Sequence, residues 1–222
     1  MWSSNDFTIE RYNTLKLKYD FYPNKILDIG ANVGQWYRNI QSIYMDSEIL
    51  SIEANPNCEF QLRQTNENYL ITFLGKEEGT IDFYTPKDNP VCTGGSAYVE
   101  QTKYYNETNV QQLPVITLDS LGQQFDFIKM DVQGAELDII KGGLKTILDC
   151  QILQLELGML NYNQGAPQAS EIISYLYNLD FYLFDIGSFF YWDARLNQAD
   201  MFFINKRKFP NFGDIFEHYK YV

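Results

Sequence analysis

The chain has 222 residues but a single histidine, three cysteines, and 17 basic residues against 29 acidic ones. His218 stands four residues from the C-terminus, the place of a solvated tail residue, so any proton transfer must fall to a carboxylate or a lysine. Cys58, Cys92 and Cys150 are far apart and odd in number, without a C-x-x-C or zinc-ligand spacing. That excludes a disulfide framework and points to a reducing compartment. A net charge of −12 leaves no basic surface for displacing counterions from nucleic acid, and it disfavours anionic membranes. The only basic run, Lys206-Arg-Lys208, reads as a solvated strand end. The N-terminal residues Met-Trp-Ser-Ser-Asn-Asp lack the basic and apolar regions of a signal peptide, and no apolar run is long enough to span a bilayer. The expectation is a soluble, cytoplasmic protein that binds neither nucleic acid nor membrane, of undetermined oligomeric state.

Hydrophobic residues, at 45%, are plentiful, as are tyrosine (17) and phenylalanine (16), and the length suits one well-buried α/β domain. Residues 1–24 read as an amphipathic helical lead-in ending at Pro23, and residues 25–222 as a single domain. Strands are expected at 25–29, 49–53, 69–74, 80–84, 125–130 and 151–157. Helices are expected at 34–45, at 57–66 with Phe60 and Leu62 packing inward, at 135–148 and at 171–179. Asp119 is placed as a helix N-cap. Residues 181–186 and 201–204 form an antiparallel pair joined by an aromatic loop, 188–192. Residues 86–112 are polar, include Thr93-Gly-Gly-Ser96, and have the length of a lid or substrate loop. This alternation implies a Rossmann-like, doubly wound, mostly parallel sheet with an antiparallel strand near the C-terminus. In such sheets ligands bind beyond the carboxyl ends of the strands, which puts Asp28 to Gly34, Glu53, Asp131 and Glu156 on one rim.

The most specific segment is Lys25-Ile-Leu-Asp-Ile-Gly-Ala-Asn-Val-Gly34, a strand running into a glycine turn and then a helix. A second strand, Ile49-Leu-Ser-Ile-Glu53, ends in an acid able to accept both hydroxyls of a ribose. Dinucleotide folds favour G-x-G-x-x-G; here the middle glycine is replaced by Asn32, which would crowd a phosphate. Asp28 would repel a phosphate but suits a cationic ligand carrying an amine and a sulfonium. The pattern resembles the cofactor site of class I S-adenosylmethionine (SAM) methyltransferases.

A second motif, Ile128-Lys-Met-Asp-Val-Gln-Gly-Ala-Glu136, places Asp131 at a strand end with Gly134 opening a helix, and Leu155-Glu156 follows on the next strand. Taken with Asp28, Gly30, Ala31, Asn32, Gly34, Glu53, Pro56, Leu118-Asp119 and Lys129, the chain resembles the FkbM family of SAM-dependent methyltransferases over most of its length. It departs from that pattern at Ala54-Asn55, which separates Glu53 from Pro56, and in having a single serine, Ser96, in the serine-rich loop.

The resemblance implies the class I methyltransferase fold, SAM as cofactor, and methyl transfer to a hydroxyl of a sugar, glycan or small molecule. Asp28, Gly30, Ala31, Asn32 and Gly34 should surround the amino-acid part of SAM. Glu53 should take the ribose, Lys76 flank the adenine, Ala54 join the cofactor contacts, and Asp131 lie near the methyl donor. The catalytic candidates are Asp131, Glu156 and Lys129. Asp131 and Glu156 end strands that should be neighbours, and Lys129 shares the strand parity of Asp131 and can pair with one of the acids. Glu136 would satisfy N–H groups of the first helical turn. Thr93, Ser96 and Tyr98 are the substrate candidates, with Tyr98, Tyr104 and Tyr105 a possible acceptor platform. No metal is assigned. An NAD-dependent oxidoreductase and a non-catalytic SAM-binding module remain the competing readings.

Overall fold

The computed structural model describes residues 2–102, 105, 107–209 and 213. His218 and Tyr104 lie outside them. The strands are β1 (Trp2–Asp6), β2 (Lys25–Ile29), β3 (Glu48–Glu53), β4 (Tyr69–Ile71), β5 (Phe73–Gly75), β6 (Gly79–Pro86), β7 (Thr108–Thr117), β8 (Phe127–Met130), β9 (Ile152–Gly158), β10 (Phe181–Trp192) and β11 (Arg195–Asn205). The helices are α1 (Thr8–Lys18), α2 (Gln35–Ile43), α3 (Glu59–Thr65), α4 (Glu136–Gly142), α5 (Leu144–Asp149) and α6 (Ala169–Asn178). The main sheet has the order β1-β10-β11-β9-β8-β2-β3-β4. β9, β8, β2, β3 and β4 run parallel, and β11 is antiparallel to β9, as the sequence pattern implies.

Strand alternation sorts the core. Ile26, Phe127, Ile152 and Ile204 lie side by side in register and face α1 and α2 with Tyr12, Leu15 and Ile40. The neighbouring positions Leu27, Ile128, Leu153 and Phe203 face the opposite way, into the core shared with α4, α5 and α6. Two residues further along β2, on the α1–α2 face, the row turns polar: Ser51, Asp28, Lys129 and Gln154 are register partners on β3, β2, β8 and β9. All four are buried.

Several expected elements are resolved differently. The lead-in begins with β1, which pairs antiparallel with β10, before α1 starts. This is a long-range partnership that no local periodicity announces. The run 69–74 divides at Thr72 into β4, on the main sheet, and β5, on a second three-stranded sheet of order β5-β7-β6. The last part of the expected loop, from Thr108, belongs to β7. Phe60 is 62% exposed while Leu62 is buried, so α3 packs through one of the two. The aromatic segment 188–192 is strand, and β10 turns into β11 through Asp193 and Ala194, both at positive φ, as a two-residue hairpin requires. Asp119 caps a helix from a distance. Its carboxylate accepts from the Lys145 and Thr146 N–H groups at 3.1 and 2.8 Å, at the start of α5, while Thr117 caps its own turn.

The helix expected over 135–148 is broken at Gly142-Gly143 into α4 and α5. Both glycines are points of close approach. A Cβ on Gly142 would lie 2.1 Å from the Gly75 carbonyl oxygen, and one on Gly143 would lie 2.5 Å from Leu118. Gly142→Ala is expected to destabilise the fold by about 2–3 kcal/mol in urea denaturation, because backbone rather than a movable side chain blocks the methyl. Gly79→Ala, where a Cβ meets nothing within 4 Å, is the near-neutral control.

Candidate functional site

The carboxyl ends of β2, β3, β8 and β9 form one rim, joined by the start of β11, where Asp200 stands opposite Glu156 and Gln198 opposite Gly158. Gly30 (φ +79°) turns the chain sharply as it leaves β2, and its Cβ would fall 1.8 Å from the Asp131 carbonyl oxygen. A Cβ on Gly34 (φ +80°) would fall 2.7 Å from Thr65. Both glycines therefore serve contacts within the protein as well as the shape of the turn. Asn32 also has positive φ. It donates its N–H to Glu53 Oε2 at 2.7 Å and its side-chain amide to the Cys92 carbonyl at 3.1 Å, tying the turn to the 87–107 segment.

Glu53 is held on both sides, since its Oε1 accepts the Asn55 N–H at 2.7 Å. Burial raises its carboxyl above the usual range and these two N–H groups pull it back. Each oxygen keeps a lone pair, and Glu53 lines a crevice together with Gly30, Asn32, Ala54, Phe73, Thr93 and Asp131. Asn55, Thr72, Leu74, Phe83 and Ile139 complete much of its wall. As wall residues they do not stand out in the sequence, since they come from four separate segments that meet only in the fold.

Asp28 is not on the crevice wall. It is fully buried beneath the turn, with Lys129 Nζ 3.1 Å from its Oδ1. The geometry is ionic rather than a directed hydrogen bond, and both Asp28 oxygens lack a hydrogen-bond partner. Lys129 Nζ also donates to the Gly30 carbonyl at 3.2 Å, lies 3.7 Å from Asp131 Oδ2, and sits 5.7 Å from the Trp36 ring centroid. Burial alone would lower the Lys129 ammonium, but Asp28 and Asp131 outweigh it and hold the lysine charged. Two flanking carboxylates, the Gly30 carbonyl and 6% side-chain exposure keep Lys129 protonated with no lone pair to offer, which removes it from the candidate bases. Trp36 Nε1 donates to the Tyr12 hydroxyl at 2.7 Å, which donates to Gln154 Oε1 at 2.6 Å, sealing this row from α1 and α2.

Asp131 and Glu156 are brought together, as their neighbouring strands imply. Gln133 Nε2 bridges them, at 3.1 Å from Asp131 Oδ1 and 2.7 Å from Glu156 Oε2. Gln198 Nε2 donates to the other Glu156 oxygen. Burial, then Asp131 and Asp200, push the Glu156 carboxyl well above the usual range. Asp200, whose carboxylate accepts from the Ser188 hydroxyl, is raised to about 6, chiefly by burial. Beyond this cluster a second cavity, of about 530 Å³, opens between the 93–102 segment, residues 160–162 and the β10–β11 hairpin.

The expected substrate residues divide. Thr93 lines both cavities. Ser96 does not line them: it is buried, accepts the Tyr98 N–H and donates to the Gln133 carbonyl at 2.8 Å. The Tyr98 hydroxyl donates to Asp138 on α4 at 2.8 Å, away from the rim. Tyr105 donates to the Gly94 carbonyl within its own segment. Lys76 and Ala31 also lie off the crevice wall. Lys76 is in the turn beyond β5, where it lines a separate groove beside Tyr98, and Ala31 is buried within the glycine turn. Among the described residues no cluster of three or more His, Cys, Asp or Glu is arranged to hold a metal. No helix among them is long and apolar enough to cross a membrane.

The Methyltransferase FkbM domain matches residues 28–183, and the chain belongs to that family. A solved structure with the same fold is methyltransferase FkbM from Methylobacillus flagellatus KT, 16% identical, with a TM-score of 0.51. The match covers 86% of this chain and 47% of that one, so the chain spans about half the length of that relative. Magnesium protoporphyrin IX methyltransferase from Synechocystis PCC 6803, solved with bound SAM, aligns at 12% identity and a TM-score of 0.49, over 89% of this chain and 78% of that one. No curated protein matches the chain.

Glu136 supports the rim from below. It is buried, and its Oε1 accepts the Val132 and Gly134 N–H groups at 3.3 Å, which belong to the turn before α4 rather than to its first helical turn. Burial pushes its carboxyl up to about 7 against those donors. The folded protein therefore keeps a proton that the unfolded chain releases near its ordinary value. This contribution is complete below about pH 4.5 and is lost as pH rises through about 7. It amounts to roughly 3 kcal/mol over that window. Chemical denaturation between pH 4.5 and 7.5 should show this decline, and Glu136→Gln should flatten it by a comparable amount.

Proposed function

We propose that the chain is a SAM-dependent O-methyltransferase acting on a hydroxyl of a carbohydrate or small-molecule acceptor. The observation that carries the reading is the Glu53 carboxylate. It is clamped by two backbone N–H groups at 2.7 Å with its remaining lone pairs directed to a crevice that also reaches Asp131. A carboxylate fixed in this way is prepared to accept a pair of vicinal hydroxyls such as those of a ribose. The residues present fit SAM. Ala54, Phe73, Leu74 and Ile139 offer apolar surface for a flat base beside Glu53. Lys129 is spent on Asp28, and the acids at the rim outnumber it, which favours a cationic ligand. SAM, when bound, supplies an electrophilic methyl group carried on a sulfonium.

The work of the protein is orientation and proton handling. The rim would hold the acceptor in line with the methyl, and holding the reacting atoms in line is a large part of such acceleration. The acceptor proton would go to the Asp131–Glu156 pair, where like charge and burial make Glu156 the stronger base. The outer cavity suits a polyhydroxylated ring, since Phe190 and Trp192 line it together with the polar residues Asn161, Asn197 and Gln198. The oxidoreductase reading loses support at Asn32. In a dinucleotide site the N–H groups of this turn cradle a pyrophosphate, whereas here the Asn32 N–H is bonded to Glu53.

Calorimetry should give micromolar-range SAM binding and none for NAD. Glu53→Ala should weaken the affinity by about 1–3 kcal/mol, roughly 5–150-fold, with the fold retained by circular dichroism. NAD binding without SAM binding would overturn the reading. Transfer of labelled methyl from SAM across a panel of sugars, glycans and small alcohols would identify the acceptor.

A further inference from the structure

We propose that Gln133 is a positioning residue that fixes the Asp131 and Glu156 carboxylates in one orientation where the two cavities meet. This rests on reading that pair as the proton acceptor of methyl transfer. Gln133 occupies a left-handed backbone conformation (φ 54°) that glycine would adopt without strain. The chain nevertheless places a long amide there, and both its backbone carbonyl and its side-chain NH₂ are in use. The backbone carbonyl accepts from Ser96 Oγ at 2.8 Å and from Asn163 Nδ2 at 2.9 Å, one partner from the 87–107 segment and one from the segment after β9. The side-chain Nε2 divides its two hydrogens between Asp131 at 3.1 Å and Glu156 at 2.7 Å.

Gln133 and Gln198 together take both oxygens of Glu156, and Gln198 is itself held by the Tyr162 hydroxyl at 3.1 Å. Gln133 lines the outer cavity and Asp131 lines the inner crevice, so the amide spans the place where an acceptor oxygen would meet a methyl donor. A neutral amide donor between two acids keeps them apart in direction without adding charge. It also favours the ionised form of each, which a base requires. The charged and titratable groups around Glu156 are Asp131 and Lys129 from β8, Asp200 from β11 and Tyr162 from the segment after β9. None of them supplies the donor that Gln133 does.

The test follows the Glu156 carboxyl itself. Protein labelled with ¹³C at glutamate side-chain carboxyls is titrated by NMR, with Glu156 assigned from Glu156→Gln, in wild type, Gln133→Met and Gln133→Gly. The glycine variant relieves the backbone, so its fold is safe even where the methionine variant is strained. Both variants are expected to raise the Glu156 midpoint by about one pH unit, and the acidic limb of kcat/KM should rise with it. SAM affinity by calorimetry should be unchanged, since Gln133 does not line the inner crevice. An unmoved Glu156 midpoint in folded Gln133→Gly would overturn the proposal. Failure of the wild type to bind SAM would instead overturn the methyl-transfer reading, leaving the titration to judge the clamp alone.

Discussion

Lys129 lies in the middle of the sheet with Asp28 beside it in register, Gly30 and Asp131 above it, and the Trp36 ring over it. Two of these contacts are to strand-end backbone or side chains that shape the rim, so the ammonium acts as a pin through β2 and β8. A buried charge of this kind is tolerated only when its partners are already in place. Its burial therefore demands the β2–β8 register, the Gly30 turn and the Asp131 position together. The same cation moderates the negative charge of the rim, where Asp131, Glu156 and Asp200 crowd within reach of one another. Without it, three acids at the end of a parallel sheet would repel one another in a medium of low dielectric.

Glu53 and Glu156 show one device used twice. Each is a strand-borne carboxylate with both oxygens occupied by fixed N–H donors, from backbone at Glu53 and from two glutamine amides at Glu156. Donors of this kind fix direction and leave lone pairs for a visitor. Glu53 lines the inner crevice, while Gln133 and Gln198, which hold Glu156, line the outer cavity, and Asp131 on the crevice wall is bridged to Glu156 through Gln133.

Much of this was legible in the sequence because it is carried by short segments. The strand–turn–helix at 25–34, the acids at the ends of β3, β8 and β9, and their alternation with helices imply the sheet and its rim. Residues whose partners are distant in the chain are placed by the fold where their motifs do not point. Asp28 reads as a ligand contact from its place in the motif, but strand alternation turns it under the rim toward Lys129. Ser96 and Tyr98 read as substrate contacts because they sit in a polar loop, yet they bond to Gln133 and Asp138 and anchor that loop. Asp200 and Gln198 went unnoticed because β11 runs antiparallel, so its beginning rather than its end reaches the rim. Gln133 has no signal of its own, since its importance comes from a backbone angle and from four partners drawn from different segments.

The dependence of the site on its buried ion pair is tested most directly by a double-mutant cycle on Asp28→Asn and Lys129→Met, read by chemical denaturation. Each single substitution should cost about 3–5 kcal/mol, because it leaves a buried charge without its partner. The double variant should fall short of the sum by at least about 2 kcal/mol. Strictly additive losses would show that the two charges do not depend on each other, and would contradict the account.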